Sequence, residues 1–110
     1  MKLTYLIKIS LGLVILLAAG ASQSKADAKS DSMKAIYMNA GALIHDAGTY
    51  QWARVNREVD RIMGDIKKLE KWGEVKDEMK SAAKKLNVAR IARKVEEIQN
   101  AARKLEALCR

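Results

Sequence analysis

The spacing of apolar residues limits the fold of this chain more than any other feature of its sequence. From about residue 31 onward they recur every three or four positions, which is the period of one face of an α-helix. The sequence contains no proline, the residue that most often interrupts a helix, and no phenylalanine. The alternating β-branched and aromatic pattern of strands is absent from it. The sequence therefore predicts an all-α protein.

The apolar pattern divides into four amphipathic segments, at about 31–47, 50–72, 74–86 and 88–109. Asp31 or Ser32 can cap the first segment, and Gly48 can end it in the left-handed conformation. Asn87 is the predicted break between the third and fourth segments. Alternatively, these two segments form one continuous helix, which would give a three-helix bundle or a dimer of long hairpins.

Short connections between the segments favour antiparallel neighbours, so we expect an up-down-up-down antiparallel four-helix bundle. The bundle would be a single domain formed by residues 29–110. A chain of this size is near the lower limit for a protein held together by one apolar core. A homodimer is therefore also possible, in which the partner chain would cover part of this small core.

The N-terminus has the pattern of a secretory signal peptide. Lys2 and Lys8 provide its positive region, and the uncharged stretch 9–21 provides its apolar region. This stretch of about 13 residues is shorter than the roughly 20 that a membrane-spanning helix needs, so we expect no stable membrane anchor. Small residues around 19–21 and 26–28 match cleavage sites. We therefore expect residues 1–28 to be a cleaved signal and the mature protein to be periplasmic.

Charge and motifs exclude several classes of function. The formal net charge is +8, but basic residues alternate with acidic ones along the helices instead of clustering with aromatic residues, so nucleic acid is not expected as a partner. No Ser/His/Asp set, phosphate-binding glycine loop or paired-carboxylate pocket is visible. The acidic residues are expected on solvated polar faces. The sequence therefore predicts that the protein is not an enzyme.

The single cysteine, Cys109, lies at the end of the last predicted helix. In an up-and-down bundle this end neighbours the start of the first helix, which places two groups of residues together: Met33, Ile36 and Tyr37 with Leu105, Leu108 and Cys109. The single histidine, His45, lies about 18 Å from Met33 along the first helix, at a rise of 1.5 Å per residue. We therefore expect no Cys/His pair within the chain.

The path of the last segment into Cys109 is similar to a known family. An exported four-helix bundle whose final helix, here Val88 to Leu108, leads into a cysteine resembles the cytochrome c′-like, class II c-type cytochromes. The turn between the first two segments, at 46–52, is also similar to looser relatives of that family. In the family the last helix continues into C-x-x-C-H. Here Arg110 takes the first x, and the second cysteine and the histidine are missing from the sequence.

The resemblance implies haem c as the cofactor, electron transfer or small-gas binding as the function, and a redox protein as the partner. It implies cofactor-binding roles for Cys109 through a thioether, for Met33 as an iron ligand or lining residue, and for four residues of the haem wall: Ile36, Tyr37, Leu105 and Leu108. Without the histidine we expect the chain as written to bind no haem. Two hypotheses follow: a cytochrome truncated within its haem motif, or a haem-free periplasmic helical binding or interaction protein.

Overall fold

The computed structural model describes residues 25–110, which form four α-helices without any strand. In chain order these helices are α1 (Lys25–Gly48), α2 (Trp52–Lys71), α3 (Asp77–Ala92) and α4 (Val95–Leu108). The prediction of an all-α four-helix bundle is thereby confirmed. Asp31 and Ser32 lie within α1, so the prediction that either residue caps this helix is wrong.

Most of the predicted signal peptide, residues 1–24, lies outside the described part of the chain. Its last four residues, 25–28, already belong to α1. Within residues 25–110, no helix combines the length and the apolarity that crossing a bilayer would require.

One face of every helix contributes to a single apolar core. Helix α1 packs on α2 and α4, and α3 packs on α4 and, over a smaller area, on α2. The largest side chains of the core are fully buried, because the three-and-four spacing places them on the inner stripe of each helix. They are Ile36, Leu43, Val55, Val59, Ile62, Leu69, Met79, Leu86, Ile98 and Leu105.

Helices α1 and α4 approach closely along a line of small residues on α1. A Cβ atom added to Gly41 would lie 3.3 Å from Oε2 of Glu106, and one added to Gly48 would lie 3.0 Å from Nε2 of Gln99. The same Gln99 Nε2 donates a hydrogen bond to the Ile44 carbonyl oxygen at 2.9 Å, which ties the start of α4 to the end of α1. At Gly64 on α2, by contrast, nothing lies within 4 Å of an added Cβ atom.

Three helices end in the same pair of backbone hydrogen bonds, closed by a residue with positive φ. This Schellman motif satisfies two carbonyl groups that the helix leaves without partners. The closing residues are Tyr50 after α1 (φ 58°), Gly73 after α2 (φ 68°) and Arg93 after α3 (φ 53°). Gly73 closes α2 in this way. Gly48, predicted to end the first helix in the left-handed conformation, is instead the last residue of α1, and Tyr50 takes that conformation.

The side chains of the two non-glycine closing residues pack around Trp52. The Tyr50 and Trp52 ring centroids are 6.4 Å apart with a 58° angle between the planes, and Cζ of Arg93 lies 5.4 Å from the Trp52 ring centroid. A left-handed conformation costs a non-glycine residue about 1 kcal/mol. Aromatic and cation–π contacts contribute about 0.5–1.5 kcal/mol each, so they offset that cost.

The break between α3 and α4 lies at Arg93, six residues after the predicted position. Asn87 is inside α3, where its Oδ1 accepts a hydrogen bond from Nη2 of Arg90, so the predicted break and cap at Asn87 are wrong. The inward face of α3 passes through Leu86 and Ala89. Val88 and Ile91, expected in the buried seam of the last helix, are 60% and 72% exposed on the outer side of α3.

The boundary of α3 predicts opposite costs for two substitutions that are two residues apart. Leu86→Ala should lower the free energy of unfolding by about 2–5 kcal/mol, because Leu86 is fully buried and a cavity would remain. Val88→Ala should change it by less than about 0.5 kcal/mol, because this side chain is largely in solvent. Urea unfolding followed by circular dichroism measures both, and similar costs would contradict the observed boundary.

Candidate functional site

A shallow cleft lies between the start of α1 and the end of α4. It has a volume of about 340 Å³ and is lined by Ser30, Met33, Lys34, Tyr37, Cys109 and Arg110. Three of the predicted site residues therefore line one cleft: Met33, Tyr37 and Cys109.

The other three predicted site residues belong to the packing between helices. Ile36 and Leu105 are fully buried in the apolar core, and Leu108 is half-buried against it. Their side chains face neighbouring helices instead of the cleft. Only three of the six residues predicted for the pocket therefore line the cleft. Cofactor-binding roles for these six residues stay a prediction.

The environment of Cys109 suppresses the chemistry of its thiol. The side chain is 7% exposed, and burial raises its pKa to about 11. Because the thiolate is the form that attacks electrophiles and binds metals, a thiol with this pKa is unreactive at neutral pH.

The donor set of the cleft does not fit a haem held in the manner of c-type cytochromes. Such a haem needs an imidazole on the iron and normally two thiols for the vinyl groups. The cleft offers one thioether sulfur, Met33, and one thiol, Cys109, without any imidazole. His45 is exposed in the last turn of α1, whereas the cleft lies at the start of that helix. Among residues 25–110 there is also no cluster of three His, Cys, Asp or Glu side chains that could hold a metal ion.

The burial of Cys109 predicts slow alkylation. In the native protein at about pH 8, iodoacetamide should modify Cys109 at least about tenfold more slowly than in the same protein unfolded in urea, since both access and the thiolate fraction are reduced. Mass spectrometry of quenched samples gives both rates. Equal rates would show that the end of α4 does not hold the thiol against α1.

A pair of buried carboxyl groups was not predicted from the sequence. Asp46, in the last turn of α1, is 6% exposed, and Glu58, in the second turn of α2, is 7% exposed. The expectation that all acidic residues lie on solvated faces is therefore wrong for these two. A signal was present, since Glu58 follows Val55 by three positions and precedes Ile62 by four, which places it on the apolar stripe of α2.

Burial is the main reason why Glu58 holds a proton. Burial, then a hydrogen bond with Asp46, then the charge of Asp46 raise the pKa of Glu58 to about 8, while Arg54 and Arg57 act in the opposite direction. The Glu58 carboxyl is therefore mainly neutral at pH 7. Its Oε2 atom is buried without a hydrogen-bond partner among the described residues. We interpret the pair as a structural contact between α1 and α2.

The raised pKa of Glu58 predicts that the protein loses stability as the pH rises from about 4.5 to about 8. The unfolded chain releases this proton near pH 4.5 and the folded chain near pH 8, so the stabilisation is complete below pH 4.5 and disappears as the pH rises through about 8. Glu58→Gln stays neutral and keeps a hydrogen-bond donor. The free energy of unfolding of the wild type should fall between about pH 5 and pH 9. In Glu58→Gln this fall should be smaller by at least about 1 kcal/mol.

The control for this experiment is Glu96→Gln, which removes a carboxyl group from an exposed position in the first turn of α4. Its pH profile should follow the wild type. If Glu58→Gln also follows the wild type in urea unfolding at both pH values, Glu58 is not the group that titrates.

A second and larger depression lies between α3 and α4, and we call it the α3–α4 groove. Its volume is about 580 Å³. Ala82, Val88 and Ala101 provide its apolar surface, while Lys84, Lys85, Glu97, Asn100 and Lys104 provide its polar groups. The sequence pattern did not reveal this groove, because the misplaced break put Val88 in a different helix and on a buried face.

Comparison with known proteins adds no relationship to this description. The chain matches no protein-family model, no curated protein and no solved structure. What the protein binds must therefore be inferred from the contacts, burial and charges of its own residues.

Proposed function

We propose that this protein is an exported, haem-free and non-catalytic helical module that binds a partner through the α3–α4 groove. The observation that carries this proposal is the exposure of Val88 (60%) and Ile91 (72%) on one side of α3. The valine, leucine and isoleucine side chains of the other helices are buried or half-buried in the core, although Met38 on α1 is also exposed. An apolar edge beside a depression is typical of an interaction surface.

The size and lining of the groove agree with a binding role. A volume of 580 Å³ lies within the range of about 300–1,000 Å³ that binding pockets usually have. Small side chains at Ala82 and Ala101 let a ligand or partner approach the helix backbones. Polar groups at the margin, above all lysines, could then orient what binds.

We also infer an up-down-up-down order for the four helices, which makes α3 and α4 neighbours along the groove. Two ion pairs support it. Lys29 Nζ, near the start of α1, lies 3.0 Å from Glu74 Oε2 just after α2, and Arg90 Nη1, near the end of α3, lies 2.8 Å from Asp60 Oδ1 in the first half of α2. The Gln99–Ile44 hydrogen bond supports the same order for α4 and α1. Export to the periplasm is part of the proposal and depends on the signal pattern in residues 1–28.

A c-type cytochrome is the second candidate, and the shared cleft of Met33, Tyr37 and Cys109 is the observation that favours it. It would require a second cysteine and a histidine beyond the residues of this sequence. A bound haem would supply iron for electron transfer to a redox partner or for binding a small gas. Expression with a c-type haem maturation system tests it: an absorption band of haem that survives acid extraction would favour the cytochrome over the binding module.

Binding of an apolar dye tests the groove. Anilinonaphthalene sulfonate has an apolar ring system and a negative group, so the folded protein should enhance its fluorescence. Val88→Ser should reduce this enhancement by roughly half or more, since Val88 lines the groove. The matched control is Met38→Ser, which removes an equally exposed apolar side chain (63% against 60%) from α1.

Thermal unfolding of both variants should match the wild type, which excludes dye binding to a loosened core. An equal loss of fluorescence in both variants, or no loss with Val88→Ser, would contradict the assignment of the binding surface to the α3–α4 groove.

A further inference from the structure

We propose that the α3–α4 groove binds an acidic amphipathic helix of a partner protein. This inference depends on the proposed function, because it takes the groove to be the binding surface, and it adds the chemistry of the partner. Three observations carry it: unpaired lysines at the margin of the groove, an apolar line along α3, and small residues in the groove itself.

Lys84, Lys85 and Lys104 line the groove and are exposed. None of the three forms an ion pair or a side-chain hydrogen bond within the part of the chain that the structure describes. The one carboxylate that lines the groove, on Glu97, lies 3.8 Å from Nζ of Lys94. The margin of the groove is therefore positive, with charges available for an acidic partner.

The arrangement of the apolar groups matches a helix better than a flat surface. Lys84, Val88 and Ile91 follow one another at intervals of four and three residues, so they form one line along about two turns of α3. Lys84 and Val88 of this line also line the groove, together with the buried residues Ala82 and Ala101. A partner helix can insert a ridge of side chains into a groove between two packed helices, which is a common mode of recognition.

Charge and shape both disfavour the other occupants. A second copy would bring another chain with a net positive charge against the same lysines. A bilayer surface is flat on this scale and would contact the lysines without filling the space above Ala82 and Ala101. An acidic helix satisfies both the charge and the depth of the groove.

The test is a titration of the full chain, labelled with nitrogen-15, with synthetic amphipathic peptides of about 20 residues, long enough to be partly helical. One peptide carries leucine on its apolar face and glutamate beside it, and the other has lysine in place of every glutamate. Vesicles of phosphatidylglycerol form a third arm. The glutamate peptide should shift the amide signals of Ala82, Val88 and Ala101, and raising the salt concentration should weaken its binding.

Charge-reversal variants identify the lysines that recognise the peptide. Lys84→Glu with Lys104→Glu should weaken binding of the glutamate peptide by about tenfold or more. The matched control, Lys67→Glu with Lys71→Glu, makes the same change of charge at exposed positions of α2 and should weaken binding by less than about twofold.

Each alternative outcome has a distinct meaning. Equal binding of the lysine peptide at the groove would overturn the acidic partner and leave the groove as a binding surface. Absence of groove shifts with both peptides would overturn the helix as occupant, whereas the groove itself is judged by the dye experiment. Tighter binding of vesicles through the same lysines, or dimers that Lys84→Glu abolishes in sedimentation, would also overturn the proposal.

Discussion

The four helices depend on one shared apolar core, because a helix in a protein gains most of its stability from packing its apolar face and not from its own backbone hydrogen bonds. Helix α4 has 14 residues and α3 has 16, which is close to the length at which even favourable isolated helices are marginal. Each helix therefore gains its stability from the stripe that it buries. This requirement decides the state of the site residues: Ile36 and Leu105 are committed to packing, and Cys109 is held against α1 with its thiol protonated. The same requirement leaves the outer side of α3 uncovered, since a four-helix arrangement of this size buries only one face of each helix.

The sequence pattern predicted the features that depend on the spacing of apolar residues. It missed those that depend on the backbone conformation of single residues. The stripe of α2 from Val55 to Leu69 and the closure of that helix at Gly73 follow from spacing and from the preference of glycine for positive φ. The break between α3 and α4 does not follow from these rules. Arg93 lacks the conformational freedom of glycine, and it takes the left-handed conformation beside Trp52, which is its neighbour only in the folded protein. Because the boundary was predicted too early, Val88 and Ile91 were assigned to the fourth segment. The α3–α4 groove, which Val88 lines, was therefore not predicted.

The predicted cleft shows the same division between topology and chemistry. Met33, Tyr37 and Cys109 line one depression because the first and last helices pack along each other, which the bundle pattern anticipated. Whether such a depression holds a cofactor depends on donors, and the cleft contains neither an imidazole nor a carboxylate. The buried pair of Asp46 and Glu58 is the converse case, in which the residues lie on the apolar stripes but their polarity led to their assignment to solvent. Glu58, on the apolar stripe of α2, is thus better interpreted as a neutral core group than as a surface charge.

The state of Glu58 also bears on what the surface presents to a partner. The formal charge of +8 counts Glu58 as ionised, whereas its raised pKa keeps it mainly protonated at pH 7, so the folded protein is more positive than its composition indicates. Several of the remaining carboxylates are occupied by ion pairs, among them Asp60 with Arg90 and Glu70 with Lys80. The lysines of the α3–α4 groove have no such partners among the described residues, and the groove is also lined by Val88, whose side chain is 60% exposed. Positive potential and apolar surface therefore coincide on one side of the bundle, which favours both the electrostatic attraction of an acidic helix and its retention once docked.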